Sequence, residues 1–96
     1  MADDAFEWDD AKAEGNLRKH GVSFEAARIV FQDAFAIERR DTRRGYGEER
    51  FVIIGMVTGR LLTVVYTERG DYIGIISARR SNGREQHDYY HNQTEA

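Results

Sequence analysis

Ten of the chain's twelve arginines lie between residues 39 and 84, interleaved with Tyr46, Tyr66 and Tyr72. The planar fork of arginine grips phosphate or carboxylate through two parallel N–H donors, a geometry lysine lacks. A neighbouring aromatic ring adds a face for a nucleobase, worth ~1–3 kcal/mol per stacked base. The pattern points to a phosphate- or carboxylate-bearing partner, with a solvated, charged sheet edge that resists aggregation as the structural alternative. Other chemistries find less support. His87 and His91 stand four apart on a helical stretch, a spacing zinc accepts, but they lack a third ligand and an HExxH pattern. Asp3-Asp4 reads as a loose lead-in and Asp9-Asp10 as capping residues, so neither pair suggests magnesium. There is no Gly-rich phosphate loop, dinucleotide fingerprint or Ser-His-Asp order. No metal and no cofactor is expected.

A formal net charge of −3 over 96 residues argues at first against a nucleic-acid partner. The charge is uneven, however. Residues 1–38 carry nine acids against four bases, residues 39–84 ten arginines against five acids, and residues 85–96 three acids and no base. A basic middle between acidic ends leaves a local positive field, and local fields govern steering. The absence of cysteine excludes disulfides and thiolate zinc sites and fits a reducing compartment. The acidic N-terminus resembles neither a secretory signal nor a transit peptide, and no apolar run approaches the ~20 residues that span a bilayer. A cytoplasmic protein with no membrane partner is expected. The length sets one small domain over residues 1–96, with 1–6 and 92–96 flexible.

These residues need elements to position them. Asp9 or Asp10 can cap a helix to His20, with Leu17 as its main apolar anchor and Gly21 as its left-handed stop. Gly15 inside that helix costs ~1 kcal/mol against alanine, which suggests a close contact there. Trp8, one large aromatic at a helix start, reads as core. Ser23 can cap a second helix from Phe24 to about Gln32. A short strand follows at Phe35–Glu38, then an exposed loop at Asp41–Glu48. Three further strands are predicted at Arg50–Val57, Arg60–Thr67 and Tyr72–Ala78. Thr58-Gly59 and Arg69-Gly70-Asp71 between them are tight-turn sequences, which force antiparallel pairing. Apolar residues occur on both parities of these runs, so both faces of the sheet must be covered. Ser81 can cap a last, mostly polar helix from Asn82 to about His91. The sum is an α+β fold: two N-terminal helices, a four-stranded antiparallel sheet and a C-terminal helix.

Two runs, Lys19-His20-Gly21-Val22-Ser23-Phe24 and Ile75-Ile76-Ser77-Ala78-Arg79, carry a family resemblance when found in this order and spacing. With Glu7-Trp8-Asp9, Lys12, Asn16, Glu48-Glu49-Arg50-Phe51, Tyr66-Thr67, Arg69-Gly70, Glu85 and Tyr89, they make the chain similar to the BrnT toxins from about residue 6 to 90. The resemblance implies a RelE-like ribonuclease toxin of a bacterial type II toxin–antitoxin pair. It further implies a BrnA-like ribbon-helix-helix antitoxin, typically in a 2:2 complex that binds operator DNA through the antitoxin, and a free toxin that degrades RNA and arrests translation and growth. One position departs: Gly74 stands where the family usually has arginine. An active ribonuclease is the first expectation; if a guanidinium at that position contacts the scissile phosphate, the alternative is a weakened or inactive nuclease that acts as an antitoxin-binding co-repressor.

Metal-independent RNA cleavage needs a base for the 2′-OH proton, cations for the pentavalent phosphorane and an acid for the leaving oxygen. The candidate cations are Arg50, Arg69, Arg79 and Arg80, of which the family motif favours Arg69 and Arg79. His20, Glu49, Glu68 and Glu85 are the candidate bases or acids. Lys12, Asn16 and Lys19-His20 share part of one helix face, which borders an RNA groove or forms a structural network beneath the sheet. Lys12, Lys19, Tyr66, Tyr72 and Arg80 are the candidate substrate-binding residues. Each of these charged groups has a plainer alternative as a surface ion pair worth little to stability.

Overall fold

Local chemistry sets the helix boundaries. Asp9 accepts the Lys12 N–H on Oδ1 at 3.0 Å and opens helix α1 (Asp10–His20), answering one of the donors that a helix start leaves open. Gly21, at φ 71°, closes it with its N–H on the Leu17 carbonyl at 2.8 Å. Ser23 caps α2 (Phe24–Ile29) through the Ala26 N–H at 3.0 Å. The helix expected to reach Gln32 instead tightens into a 3-10 turn over Val30–Gln32.

The computed structural model describes residues 5–42 and 47–94. Its strands are β1 (Phe6–Glu7), β2 (Ile37–Asp41), β3 (Arg50–Val57), β4 (Arg60–Arg69) and β5 (Tyr72–Arg80), followed by α3 (Gly83–Thr94). The spatial order is β1-β5-β4-β3-β2. The antiparallel set from β2 to β5 is as expected, but the sheet is mixed and five-stranded, because β1 adds parallel to β5 with Phe6 opposite Ile73. Two residues carry no readable alternation; they are recruited because the edge of β5 offers unpaired backbone groups. Phe6 is therefore part of the sheet and not of a flexible lead-in, while residues 1–4 lie outside the described residues. The hairpin from β3 to β4 turns on Thr58 and Gly59, both with positive φ (48° and 78°), the signature of a type I′ turn that matches strand twist.

One face of the sheet packs on α1 and α2, with Ile53, Leu62, Val64, Tyr66, Ile75 and Ala78 against Val22, Phe24, Ala27 and Val30. Trp8 joins this core, edge-on to Phe24 at 5.9 Å. The buried side chain of Asn16 fixes α1 to the outer edge of β5. It donates to the Val22 carbonyl at 2.9 Å and the Ala78 carbonyl at 2.8 Å, and accepts the Ala78 N–H at 3.1 Å. Of the two roles open to the Lys12–Asn16–His20 face, Asn16 takes the structural one. On the opposite face α3 covers Ile54 and Leu61 with Tyr89. The Tyr89 hydroxyl donates to Asp33 at 2.6 Å, and the same carboxylate accepts the N–H groups of Met56 and Phe35.

Several sequence expectations need correcting. Leu17 is 50% exposed and anchors nothing; Ala13 and Asn16 form the inner side of α1. Phe35 is 60% exposed in a turn, and β2 starts two residues later than expected, because Asp33 ties back to β3 through Met56 first. Asn82, not Ser81, caps α3, exchanging hydrogen bonds with Glu85 in a reciprocal capping box at 2.9 Å each. The helix then continues through Thr94, past the tail expected from Asn92; residues 95–96 lie outside the described residues.

Glycine has a packing reason at 55 and not at 15. A Cβ on Gly55 would stand 2.8 Å from Val30 Cγ1 and 3.2 Å from the Val30 carbonyl oxygen, whereas one on Gly15 meets nothing within 4 Å. Gly55→Ala is expected to destabilise by ~1–3 kcal/mol through overpacking. Gly15→Ala should instead stabilise by ~0.5–1 kcal/mol through helix propensity. Urea midpoints of the two variants against the parent check both signs.

Candidate functional site

Helix α3 covers the β2–β3 side of its sheet face and leaves the β4–β5 side open. The opening is a groove of about 640 Å³, floored by Val52, Thr63, Val65 and Ser77, a size usual for ligand clefts. The end of β2 forms one wall, with Arg39 and Arg40. The start of α3 forms the other, with Arg84, Glu85 and Asp88, and His20 reaches the rim from the end of α1.

A bulge in β5 decides what faces this groove. Val64 pairs with Ala78 and Tyr66 with Ile75, so Ile76 and Ser77 together oppose Val65. An extra residue inverts the alternation beyond it. Ile75 and Ala78 therefore both point to the helix-bearing core, and Ser77 and Arg79 both point into the groove. Arg79 lies opposite Thr63 and donates from both terminal nitrogens to Glu85, at 2.8 Å each. Glu85 Oε1 also accepts from Thr63 Oγ1 at 3.0 Å and from the Asn82 N–H, and the Thr63 and Ser81 hydroxyls share a 2.8 Å hydrogen bond. Burial pushes the Glu85 carboxyl up, but the donors Arg79, Asn82 and Thr63 outweigh it and hold it below the ordinary range. On the wall, Arg39 pairs with Asp88 at 3.3 Å.

A second cationic cluster lies along the same sheet face, roughly 15 Å away by strand rise. Here Gly74 sits beside Thr67, with Glu7 across the β1 pairing. Arg69 folds over Gly74 and reaches Glu7 at 3.2 Å and Glu48 at 3.4 Å. These two carboxylates raise the guanidinium pKa further above its ordinary value. A Cβ at position 74 would stand 3.2 Å from Thr67 Cγ2 and 3.6 Å from Arg69 Cζ, so Arg69 occupies the space that a side chain there would claim. Lys12 and Arg50 line the same pocket of about 230 Å³.

The fold thus gathers His20 with Arg79 in the groove, and Arg69, Arg50 and Lys12 around Gly74. The other expected residues fall elsewhere. Tyr66 is 3% exposed, in a T-shaped contact with Phe31 and stacked on Phe51, and its hydroxyl donates to Glu38; buried in this way, it is not a base-stacking surface. Burial and Glu38 push its hydroxyl pKa well up. Glu49 pairs with Arg40 at 3.0 Å. Glu68 and Arg80 lie opposite Ile73 and Leu62, on strand positions directed to the helix-bearing face. Lys19 is exposed on the last turn of α1, and Tyr72 is half-exposed at the start of β5. Tyr46 lies outside the described residues. The groove residue Ser77 escapes sequence reasoning because the bulge that selects its face has no local signature, and Arg39 and Thr63 because their partners Asp88 and Glu85 are remote in sequence. The Asn82-x-x-Glu85 pattern was readable as a capping box, and it locates the partner of Arg79.

Among the described residues no three His, Asp or Glu side chains gather to hold a metal ion, and no helix is long and apolar enough to cross a membrane. A family model described as "Ribonuclease toxin, BrnT, of type II toxin-antitoxin system" matches residues 8–85. No significant match is found among curated proteins.

The carboxylates that hold α3 carry a pH signature. Burial pushes Asp33 up, and its hydrogen bonds from Tyr89, Met56 and Phe35 more than reverse this. Like Glu85, its pKa is lowered in the folded chain, so the unfolded chain binds more protons in the acid range. The stability these groups contribute is complete above the unfolded carboxyl value near pH ~4 and is lost as pH falls through the folded values. Asp33→Asn should cost ~1–3 kcal/mol at pH 7, and the difference from the parent should shrink steadily on acidification. Denaturant midpoints measured from pH 7 down to pH 3 check the sign.

Proposed function

The chain belongs to the BrnT family of ribonuclease toxins of type II toxin–antitoxin systems, and we propose that its open sheet face binds RNA and cleaves it without a metal ion. The observation that carries this reading is the meeting of Arg79 and His20 in one groove on the sheet face beside α3. A guanidinium has five N–H donors, and Glu85 takes two from Arg79. The Arg79 side chain, 40% exposed, brings its positive charge to a phosphate and to the negative charge that builds up on the phosphorane. His20 is placed to exchange a proton with the 2′-OH or the leaving 5′ oxygen. Arg69, Arg50 and Lys12 form a second phosphate contact further along the strand, with Tyr72 as a stacking surface beside it. Lys19 and Arg80 add to the field at the margins. Glu68, directed to the other face, and Glu49, engaged by Arg40, are the weakest candidates for proton transfer.

The partner implied by the family is an antitoxin. In this reading it is a BrnA-like ribbon-helix-helix protein that forms a 2:2 complex, occupies the arginine-lined groove and carries the toxin to operator DNA. Free toxin in the cytoplasm degrades RNA and arrests translation and growth. One observation favours a second reading. Position 74 carries no side chain, and the Arg69 guanidinium beside it is engaged by Glu7 and Glu48, which leaves less cationic charge for a phosphate at that end of the sheet. In that case the chain serves as a cleavage-weakened, antitoxin-binding co-repressor.

Purified, antitoxin-free chain incubated with RNA in EDTA separates the two. On the nuclease reading RNA is cut, Arg79→Ala lowers kcat/KM roughly 100-fold or more, and Tyr66→Phe leaves cleavage unchanged. Intact RNA, with cutting restored by Gly74→Arg, selects the co-repressor. Intact RNA with the parent and with Gly74→Arg alike would falsify the groove as a nuclease site.

A further inference from the structure

Two hollows adjoin on the face of the sheet that carries α3. One is the groove of about 640 Å³; the other, of about 290 Å³, lies between β2 and the second half of α3 and is lined in part by Ile37, His91 and Asn92. Arg39 and Asp88 line both hollows, and their ion pair at 3.3 Å stands between them. This bar is made of accessible groups: the Arg39 side chain is 52% exposed and that of Asp88 30%, and such a pair contributes little to stability. Asp88 is the one partner of the Arg39 guanidinium among the described residues. The two backbones are fixed independently of the pair. Arg39 sits in the β2–β3 ladder opposite Val52, and Asp88 precedes Tyr89, which holds α3 on Ile54, Leu61 and Asp33. The two side chains can therefore part while strand and helix stay in place. A phosphodiester offers the guanidinium fork two oxygens, as a carboxylate does, and competes for Arg39 on similar geometric terms.

We propose that Asp88 is an internal stand-in for phosphate: it holds Arg39 until an RNA backbone phosphate takes its place, which opens the groove into the second hollow. The proposal rests on the reading of the groove as an RNA site and adds Arg39 to that site as a binding residue. Asp88 then sets a threshold, since a polyanion must displace one carboxylate and tolerate its charge nearby, and poorly matched ligands are held off. The exchange makes and breaks no covalent bond, so it operates whether or not the RNA is cut.

The test is binding of a fluorescein-labelled 2′-O-methyl RNA oligonucleotide to the full chain, read by anisotropy at low ionic strength. The methyl group blocks the 2′-OH nucleophile, so affinity is read independently of cutting. Asp88→Asn keeps the shape and one acceptor but removes the charge. Glu14→Gln, at a 77% exposed side chain of α1, makes the same change in net charge on the other face of the sheet and is the control. Arg39→Ala and Arg39→Ala/Asp88→Asn complete a double-mutant cycle, and Arg39→Gln repeats it with most of the side-chain length kept. The expected result is binding about 3- to 10-fold tighter in Asp88→Asn, a gain that shrinks as salt is added. The gain should vanish when Arg39 is replaced, and Glu14→Gln should stay within about 2-fold of the parent. Parent-like or weaker binding by Asp88→Asn overturns the proposal. So does an equal gain in Glu14→Gln, or one of undiminished size without Arg39. If Arg79→Ala and Arg84→Ala weaken binding in that event, the groove reading stands and the proposal alone falls. No binding by the parent or any variant, or binding that no arginine substitution alters, sinks the groove reading and the proposal with it.

Discussion

The arrangement of this molecule depends on one buried carboxamide. Strand β5 is flanked on its outer side by only two residues of β1, which pair with Ile73 and Gly74. Beyond them its edge would present bare backbone groups to a helix. Asn16 supplies what a longer neighbouring strand would have supplied, bonding both the N–H and the carbonyl of Ala78. Its third bond, to the Val22 carbonyl, fixes the turn that launches α2. Losing the amide would strand these buried polar groups, each at ~1–3 kcal/mol, and would release α1 from the sheet. Because α1 ends in His20 at the rim of the groove, that structural bond also sets one wall of the candidate site.

The same stretch of β5 contains the bulge that divides core from groove. Ala78, held by Asn16, faces the helices, while its neighbours Ser77 and Arg79 face the opening. An unbulged strand would send Arg79 inward with Ile75, where its charge would be desolvated at a cost of several kcal/mol. Local strand distortion thus places a cation on a concave surface, and the neighbouring helix supplies the counter-ion that keeps it there. The acidic C-terminal region acquires a specific role in this setting. Glu85 and Asp88 bring negative charge against Arg79 and Arg39, and so moderate a groove wall that would otherwise attract any polyanion.

Much of this was legible in the residues. Capping at Asp9 and Ser23, the stop at Gly21 and the hairpin turn at Thr58-Gly59 each follow from the local chemistry of a few side chains, and each stands where the sequence places it. Apolar residues on both parities of β3 and β4 correctly required cover on both faces. The failures share a different cause. Phe6–Glu7 is a strand only because a remote edge needs a partner. Leu17 is exposed because Asn16, a polar residue, takes the inward position. Tyr66, read as a stacking surface, is core because its strand parity puts it beside Phe31 and Phe51. The family resemblance named Arg69 and Arg79 together, yet the fold places them at opposite ends of one sheet face, a separation that no sequence interval expresses.

That separation bears on what glycine at position 74 means. Gly74 does not leave a hole: Arg69 lies across it, between two glutamates. An arginine at 74 would have to displace that guanidinium or compete for its carboxylates, so positions 69 and 74 are coupled and not independent sources of charge. The groove end around Arg79 and His20 is built without reference to either, on the far side of the bulge. Glycine at 74 therefore bears on the Arg69 end of the sheet face more directly than on the arrangement of groups in the groove. The two cationic clusters occupy different ends of one face, and the bulge in β5 is the boundary between them.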